Sequence, residues 1–484
     1  MKHADTLFWN VLLIDGSGAA PAHGDLAVVG DRIAAIGDLS AWTAAREIDG
    51  GGLALGPGFI DSHTHDDRAI LGDPADMTCK VSQGVTTVIV GNCGVSLAPL
   101  KSTTRPVAPL DLLGDESWWV YGSFAAYAAR LAAQPPAVNA LALVGHMSLR
   151  VAVMGEELDR EARPDEIAAM RALLAQALDE GAAGFSTGLA YPPSRAATTA
   201  EVSGIATPLA AHDALYVTHL RDEGTRVVEA IEEALEIGRT VGCAVVLSHH
   251  KCALRENFGR SRDTLALIER SSAAQRVDLD AYPYAASSTA LLVELLRDDL
   301  PVQITWSLAC PEAAGRMLAD IADEWGVDQG ETARRLQPAG AVYFSMDEGD
   351  VRRILAHPRT MIGSDGLPHD RLPHPRLWGS FPRVLGHYAR DVGLFPLETA
   401  VHKMTGMPAH VFGLEDRGVL RPGAFADLVL FDPATVIDRA TFADPVQAAG
   451  GIAEVWVNGA SAYTPEAGRV TAAAGRLLRR RPAL

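Results

Sequence analysis

Eight short apolar segments, spaced through the middle of the chain and alternating with helix-like stretches, constrain this sequence most. They are Gly58 to His63, Thr86 to Gly91, Val138 to Val144, Ala182 to Ser186, Leu215 to His219, Val245 to Ser248, Val277 to Tyr282 and Met361 to Ser364. Apolar runs of that length read as buried strands, and strands that alternate with helices pair in parallel. Eight parallel strands are the number that closes a barrel. Two of the connections carry clear helix signals. Pro164 to Glu180 opens on proline, has Asp165 and Glu166 in its first turn, repeats apolar Ile167, Met170, Leu174 and Leu178, and stops at Gly181. Arg226 to Val241 sets Val227, Ile231, Leu235 and Gly238 on one face.

The two ends have a different texture. From Leu7 to about Leu55, β-like runs are broken by Asp15-Gly16-Ser17-Gly18 and Gly30-Asp31, which predicts a small antiparallel sheet. Similar runs return at Ala426 to Asp432 and Glu454 to Gly459. Half-sheets at opposite ends of a chain predict one discontinuous domain built around the middle. The expected fold class is therefore α/β: a (β/α)8 TIM-type barrel over residues 57–413, with a small β-sandwich domain from 1–56 and 414–484. About 80 residues separate Tyr282 from Met361, too many for one crossover helix, and 286–341 is expected to be an insertion lying over the barrel mouth as a lid.

The formal charge of −18, from 60 acidic against 42 basic residues, argues against nucleic acid or an anionic membrane as partner. Arg476, Arg479, Arg480 and Arg481 make only the tail basic, and they read as a solvated end. No apolar run approaches the ~20 residues of a membrane span. Met1 to Asp5 carries charge and no cleavage signal, so the cytoplasm is the expected compartment. Five scattered cysteines form no disulfide framework and agree with a reducing environment.

The chemistry gathers where the strands end. Gly56 to His65 reads Gly-Pro-Gly-Phe-Ile-Asp-Ser-His-Thr-His, and histidines two apart at the end of a strand point the same way. The second strand ends in Asn92-Cys93-Gly94, the fifth in His219, the sixth in His249 and His250, and the eighth in Asp365. Taken singly each has a plain structural reading: a core histidine, a buried cysteine, or a turn in Ser364-Asp365-Gly366. Their convergence from five strand ends at the catalytic face of a parallel barrel points instead to a zinc-like divalent site.

These residues resemble the amidohydrolase superfamily. More narrowly, Gly91-Asn92-Cys93-Gly94, Ser248-His249-His250-Lys251, Tyr282-Pro283-Tyr284 and His374-Pro375-Arg376 are similar to the D-aminoacylase (N-acyl-D-amino-acid deacylase) group. The resemblance implies one tight Zn2+ held by Cys93, His219 and His249, and a weaker second position at His63 and His65 that Cys93 can bridge. The choice of His249 over His250 comes from that motif, because the strand's phase leaves both open. Many two-metal relatives bridge with a lysine at the end of the fourth strand, where this chain has Phe185-Ser186-Thr187-Gly188. That departure counts against a hydantoinase or dihydroorotase activity. The implied chemistry is hydrolysis of N-acyl-D-amino acids, with Asp365 moving the proton and Lys251, Tyr282, Ser288 and Arg376 holding the substrate carboxylate. Arg297, Arg371 and Arg383 near the expected mouth suit an acidic side chain, as in N-acyl-D-glutamate. The competing expectations are a cyclic-amide hydrolase or deaminase on the same scaffold, and an inactive metal-binding protein.

Overall fold

The computed structural model of the protein describes residues 2–481; Met1 and residues 482–484, the outermost parts of the expected terminal segments, lie outside the described residues. All eight expected strands are present, with ends within about two residues of the sequence-based bounds. Phe59–Asp61, Val85–Val90 and Asn139–Ala142 pair in parallel. Val144–Gly145, Gly184–Gly188, Leu215–His219, Ala244–Leu247, Val277–Ala281 and Thr360–Ile362 form a second parallel set. Ala183 N donates to Ala142 O at 2.9 Å across the two sets, and Ser62 N donates to Ile362 O at 3.3 Å between the first and last strands. Ile60, Ile89, Leu141, Leu215, Val246 and Met361, one from each of six strands, pack in one apolar cluster.

The helix Pro164–Glu180 forms where its signals place it. The Glu166 carboxylate accepts the Arg163 backbone N–H at 2.7 Å, and Gly181 ends the helix at φ +114°, a conformation costly for a residue with a Cβ. Met170, Leu174 and Leu178 are buried along one face. Each such side chain contributes ~1.5–3 kcal/mol by leaving water, so Leu174→Asp would weaken the seat of this helix.

Both chain ends enter one eight-stranded sheet, seven strands of which run in the order Ala460–Tyr463, Ile452–Val457, Leu428–Phe431, Ala54–Pro57, Lys2–Leu13, Ala22–Val29, Arg32–Gly37, with Trp42–Asp49 beside Lys2–Leu13 as the eighth. The sheet is mixed, which corrects the antiparallel expectation. Lys2–Leu13 pairs in parallel with Trp42–Asp49 and with Ala54–Leu55 along one edge, and antiparallel with Ala22–Val29 along the other. Hairpin signals report only local turns. The intervening hairpin reverses the chain twice, so the next strand returns in the direction of the first.

The tail departs in part from the solvated end expected of it. Arg476 pairs with Asp31 at 2.8 Å, and Arg480 donates to the carbonyls of Asp213 and Val411, each at 2.7 Å, with its side chain 8% exposed. Arg480 thus fastens the C-terminal segment, whereas Arg476, Arg479 and Arg481 remain exposed, as expected of a solvated end.

Residues between the seventh and eighth parallel strands form a separate layer. Ser287–Ala290, Val302–Ser307 and Ala339–Tyr343 make a three-stranded antiparallel sheet, backed by helices Leu318–Trp325 and Gln329–Leu336. Its own apolar cluster includes Leu300, Ile304, Leu318, Ile321 and Leu336. Among the described residues no helix is long and apolar enough to cross a membrane.

Candidate active site

The residues expected from five strand ends meet. Cys93 Sγ lies 3.2 Å from His63 Nε2 and 3.3 Å from His249 Nε2. The donor atoms of Cys93, His219 and His249 all lie within 4.8 Å of one another, as do those of His63, His65, Cys93 and Asp365. Cys93 thus belongs to both groups. All six side chains are buried.

Local backbone explains how they are aimed. Cys93, His249 and Asp365 take φ of +53°, +34° and +50°, left-handed values that non-glycine residues adopt only when their surroundings impose them. Those surroundings are visible. Asp365 N donates to His63 O and Ser364 N to Asp61 Oδ1, each at 2.8 Å, while His249 N donates to Asp280 Oδ1 at 2.8 Å. Gly91 begins the Cys93 turn at φ +79°, and a Cβ there would stand 2.3 Å from Leu143 O, so the turn requires glycine.

The two adjacent histidines face opposite ways. His249 faces Cys93, whereas His250 Nε2 turns away to Thr264 Oγ1 at 2.8 Å.

Charge is concentrated here. Burial opposes ionisation of the Cys93 thiol, yet His63, His249 and His219 hold its pKa well below the usual value. Burial lowers His65, but Asp365 and Cys93 lift it to about 9. Burial also opposes ionisation of Asp365, and Arg376, His249 and His65 hold it well below the usual carboxylate range. A buried thiolate and carboxylate surrounded by imidazoles need positive charge between them. A divalent cation supplies it without protons, and thiolate with imidazole suits zinc. His219 Nδ1, buried with no hydrogen-bond partner, is a further free donor atom that fits such an ion.

A cavity of about 790 Å³ opens onto this cluster, lined by His219, His249 and Asp365, by Lys251 and Ser288, by Tyr191, whose ring stands 4.9 Å from that of His219, and by Arg297. Tyr282 lies beneath, its ring 4.6 Å from the Arg376 guanidinium and its hydroxyl on Met346 Sδ at 3.6 Å. Arg376 is 1% exposed, pairs with Asp365 Oδ2 at 2.9 Å and donates to Ser288 O at 2.9 Å. Arg371 instead donates to Pro311 O, and Arg383 to Pro283 O while pairing with Asp438 at 3.2 Å.

Several site residues escaped the sequence reading. Glu223 contacts His249 Nδ1 at 3.0 Å and Lys251 Nζ at 2.6 Å. Asp280 stands 3.3 Å from His63 Nδ1. Fully buried Lys80 ties Asp61 at 2.8 Å to Ser364 Oγ at 2.6 Å, bracing the ends of the first and last strands. A signal existed for Asp280, a carboxylate inside the apolar run Val277 to Tyr282. Glu223 and Lys80 sit in polar surroundings that read as surface.

Comparisons with known proteins agree with this geometry. A model of the amidohydrolase family matches residues 46–283 and 312–463. The chain is 56% identical over 463 residues to a D-aminoacylase of Alcaligenes xylosoxydans xylosoxydans, covering 96% of this chain and 95% of that protein. A solved D-aminoacylase structure superposes with a TM-score of 0.96 at 54% identity, covering 99% of this chain and all of that one. An N-acyl-D-glutamate deacylase structure from Bordetella bronchiseptica, complexed with zinc and a phosphonate mimic of the reaction's tetrahedral intermediate, superposes with a TM-score of 0.94 at 49% identity, covering 99% of this chain and 100% of that chain. The gap in the family match falls inside the added antiparallel layer, and with the segments on both sides of it matched the chain belongs to the amidohydrolase family.

Proposed function

We propose that the protein is a zinc-dependent hydrolase that cleaves the amide bond of N-acyl-D-amino acids to a carboxylate and a free D-amino acid. The observation that carries this reading is Cys93 shared between two donor groups, with Asp365 in one of them and the cavity opening on both. Similarity to a D-aminoacylase and an N-acyl-D-glutamate deacylase supports the substrate class.

In this reading Cys93, His219 and His249 hold the tight zinc, and His63 and His65 share Cys93 for a weaker second ion. Zinc, when bound, polarises the acyl carbonyl and lowers the pKa of an adjacent water towards roughly 7. Asp365 Oδ1 accepts the proton that water loses as its oxygen adds to the acyl carbon, and delivers it to the nitrogen as the C–N bond breaks. Arg376 on Oδ2 keeps Asp365 ionised and aimed at the cluster. Lys251 and Ser288 reach the substrate carboxylate from the cavity wall, with the Tyr282 ring 5.5 Å from the Lys251 ammonium, while Arg376, committed to Asp365 and the Ser288 carbonyl, acts on the substrate only through them. Arg297 in the cavity lining supports a preference for an acidic D-residue such as N-acyl-D-glutamate.

The same reading takes 57–413 as a (β/α)8 TIM-type barrel, 1–56 with 414–484 as a β-sandwich domain, and 286–341 as a lid. The Ser62 to Ile362 hydrogen bond and the apolar cluster drawn from six strands support closure. The sparse, odd cysteine count favours work in the cytoplasm.

Amine release from N-acetyl-D-glutamate, N-acetyl-D-methionine and their L-forms tests the activity, with hydantoin ring opening run beside them. Release from the D-forms is expected, fastest with D-glutamate. Turnover of the L-forms alone, or of none, overturns it.

A further inference from the structure

His249 presents Nε2 to Cys93 and turns Nδ1 towards two groups of opposite character, Glu223 Oε1 at 3.0 Å and Lys251 Nζ at 2.7 Å. Those two groups are themselves 2.6 Å apart. A neutral imidazole has one ring proton, and the partner of its outer nitrogen decides which nitrogen keeps a lone pair for a metal. An ammonium only donates. Alone beside Nδ1, Lys251 would draw the lone pair to that side and leave the proton on Nε2, facing Cys93. An ionised carboxylate only accepts, so Glu223 favours the proton on Nδ1 and frees Nε2. The same side chain places Oε2 3.8 Å from His219 Nε2, while His219 Nδ1 has no hydrogen-bond partner. Glu223 follows His219 by four residues, and its loop is pinned where Ala253 N donates to Glu223 O at 2.7 Å. One carboxylate therefore meets the outer nitrogen of His249 and the lysine that competes for it, with His219 beyond hydrogen-bonding distance.

We infer that Glu223 is a positioning residue that fixes the metal-binding tautomer of His249 against Lys251. This rests on the reading that Cys93, His219 and His249 hold zinc. Removing a carboxylate of this kind weakens metal binding by roughly 10–100-fold.

The test is zinc affinity, measured by competition with a chromophoric chelator, for the wild type, Glu223→Gln and the double variant Glu223→Gln with Lys251→Met. Glu223→Gln is expected to bind zinc more weakly by that factor, and the double variant to regain part of the loss because the competing donor is gone. Affinity in Glu223→Gln within about twofold of wild type overturns the inference, since outer partners of this kind are worth far more. A loss that the second change leaves untouched overturns the tautomer assignment. If Glu223→Gln does not fold, Lys251→Met alone decides, because with Glu223 intact its zinc affinity should equal or exceed wild type and a weakening overturns the proposal. Amine release is followed in parallel. A wild type that binds zinc without turning over N-acyl-D-amino acids removes the proposed function and leaves the affinity comparison valid.

Discussion

Arg376 Nη1 stands 2.9 Å from Asp365 Oδ2, a charge pair between two buried side chains. The other oxygen, Oδ1, faces His65 Nε2 at 3.2 Å and His63 Nε2 at 3.6 Å. One oxygen is thus anchored and the other is turned to the metal cluster. Asp365→Asn keeps the shape and removes the proton acceptor. Turnover should fall roughly 10²–10⁴-fold while zinc content stays near wild type. Metal analysis and amine release on the same sample check this, and an undiminished rate would take Asp365 out of the mechanism.

The pairing also separates two cations that sequence reasoning grouped together. Lys251 lines the cavity, whereas Arg376 lies behind Asp365. Lys251→Met should act mainly through KM, because it removes a donor to the substrate carboxylate. Arg376→Lys should act mainly through kcat, because a lysine lacks the planar fork that can hold Asp365 and the Ser288 carbonyl together. Steady-state kinetics on the two variants checks the split, and equal effects on KM would return Arg376 to direct substrate binding.

Much of this arrangement was legible in the sequence because it is periodic or terminal. A strand end such as Leu215 to His219 announces both the strand and the direction of its last side chain, so His63, His65, Cys93, His219 and Asp365 could be named before any contact was seen. What could not be read depends on pairing between distant segments. Trp42–Asp49 runs parallel to the first strand, and nothing in its own residues reports that partner. Lys80 in Thr-Cys-Lys-Val resembles a surface helix residue, yet it is fully buried because Asp61, Asp66 and Ser364 arrive from the ends of the first and last parallel strands to meet it. Glu223 joins the site only because its loop folds back beside Ala253.

Cys93 belongs to both donor groups, so its loss should cost more than one ion. Cys93→Ala leaves His219 and His249 as one imidazole pair and His63 and His65 as another, without the anion between them. Two neutral imidazoles are a poor match for zinc, which takes three or four protein ligands in stable sites. After gel filtration Cys93→Ala should retain well under one zinc per chain, against one or more in the wild type. His63→Ala should retain the tight ion, and equal retention by the two variants would show that Cys93 is not the shared ligand.

A buried charge pair outside the cysteine–histidine cluster contributes to stability in acid. Arg150, fully buried, pairs with Glu201 Oε1, and His146 Nε2 lies 3.3 Å from the same oxygen. Burial opposes ionisation of Glu201, but His146 and Arg150 bring its pKa down from 4.5 to about 2. Because the folded-state value is depressed, the pair stabilises fully above the unfolded-state pKa, and that contribution is lost as the pH falls towards about 2. Glu201→Gln strands the Arg150 charge and should destabilise the protein by about 3–5 kcal/mol at neutral pH. The gap from wild type should narrow by about 1 kcal/mol at pH ~3.5, where the unfolded wild-type chain already binds the proton. Denaturant midpoints of the metal-free proteins at the two pH values check the sign, and a gap that widens in acid would show that Glu201 is not held ionised by its neighbours.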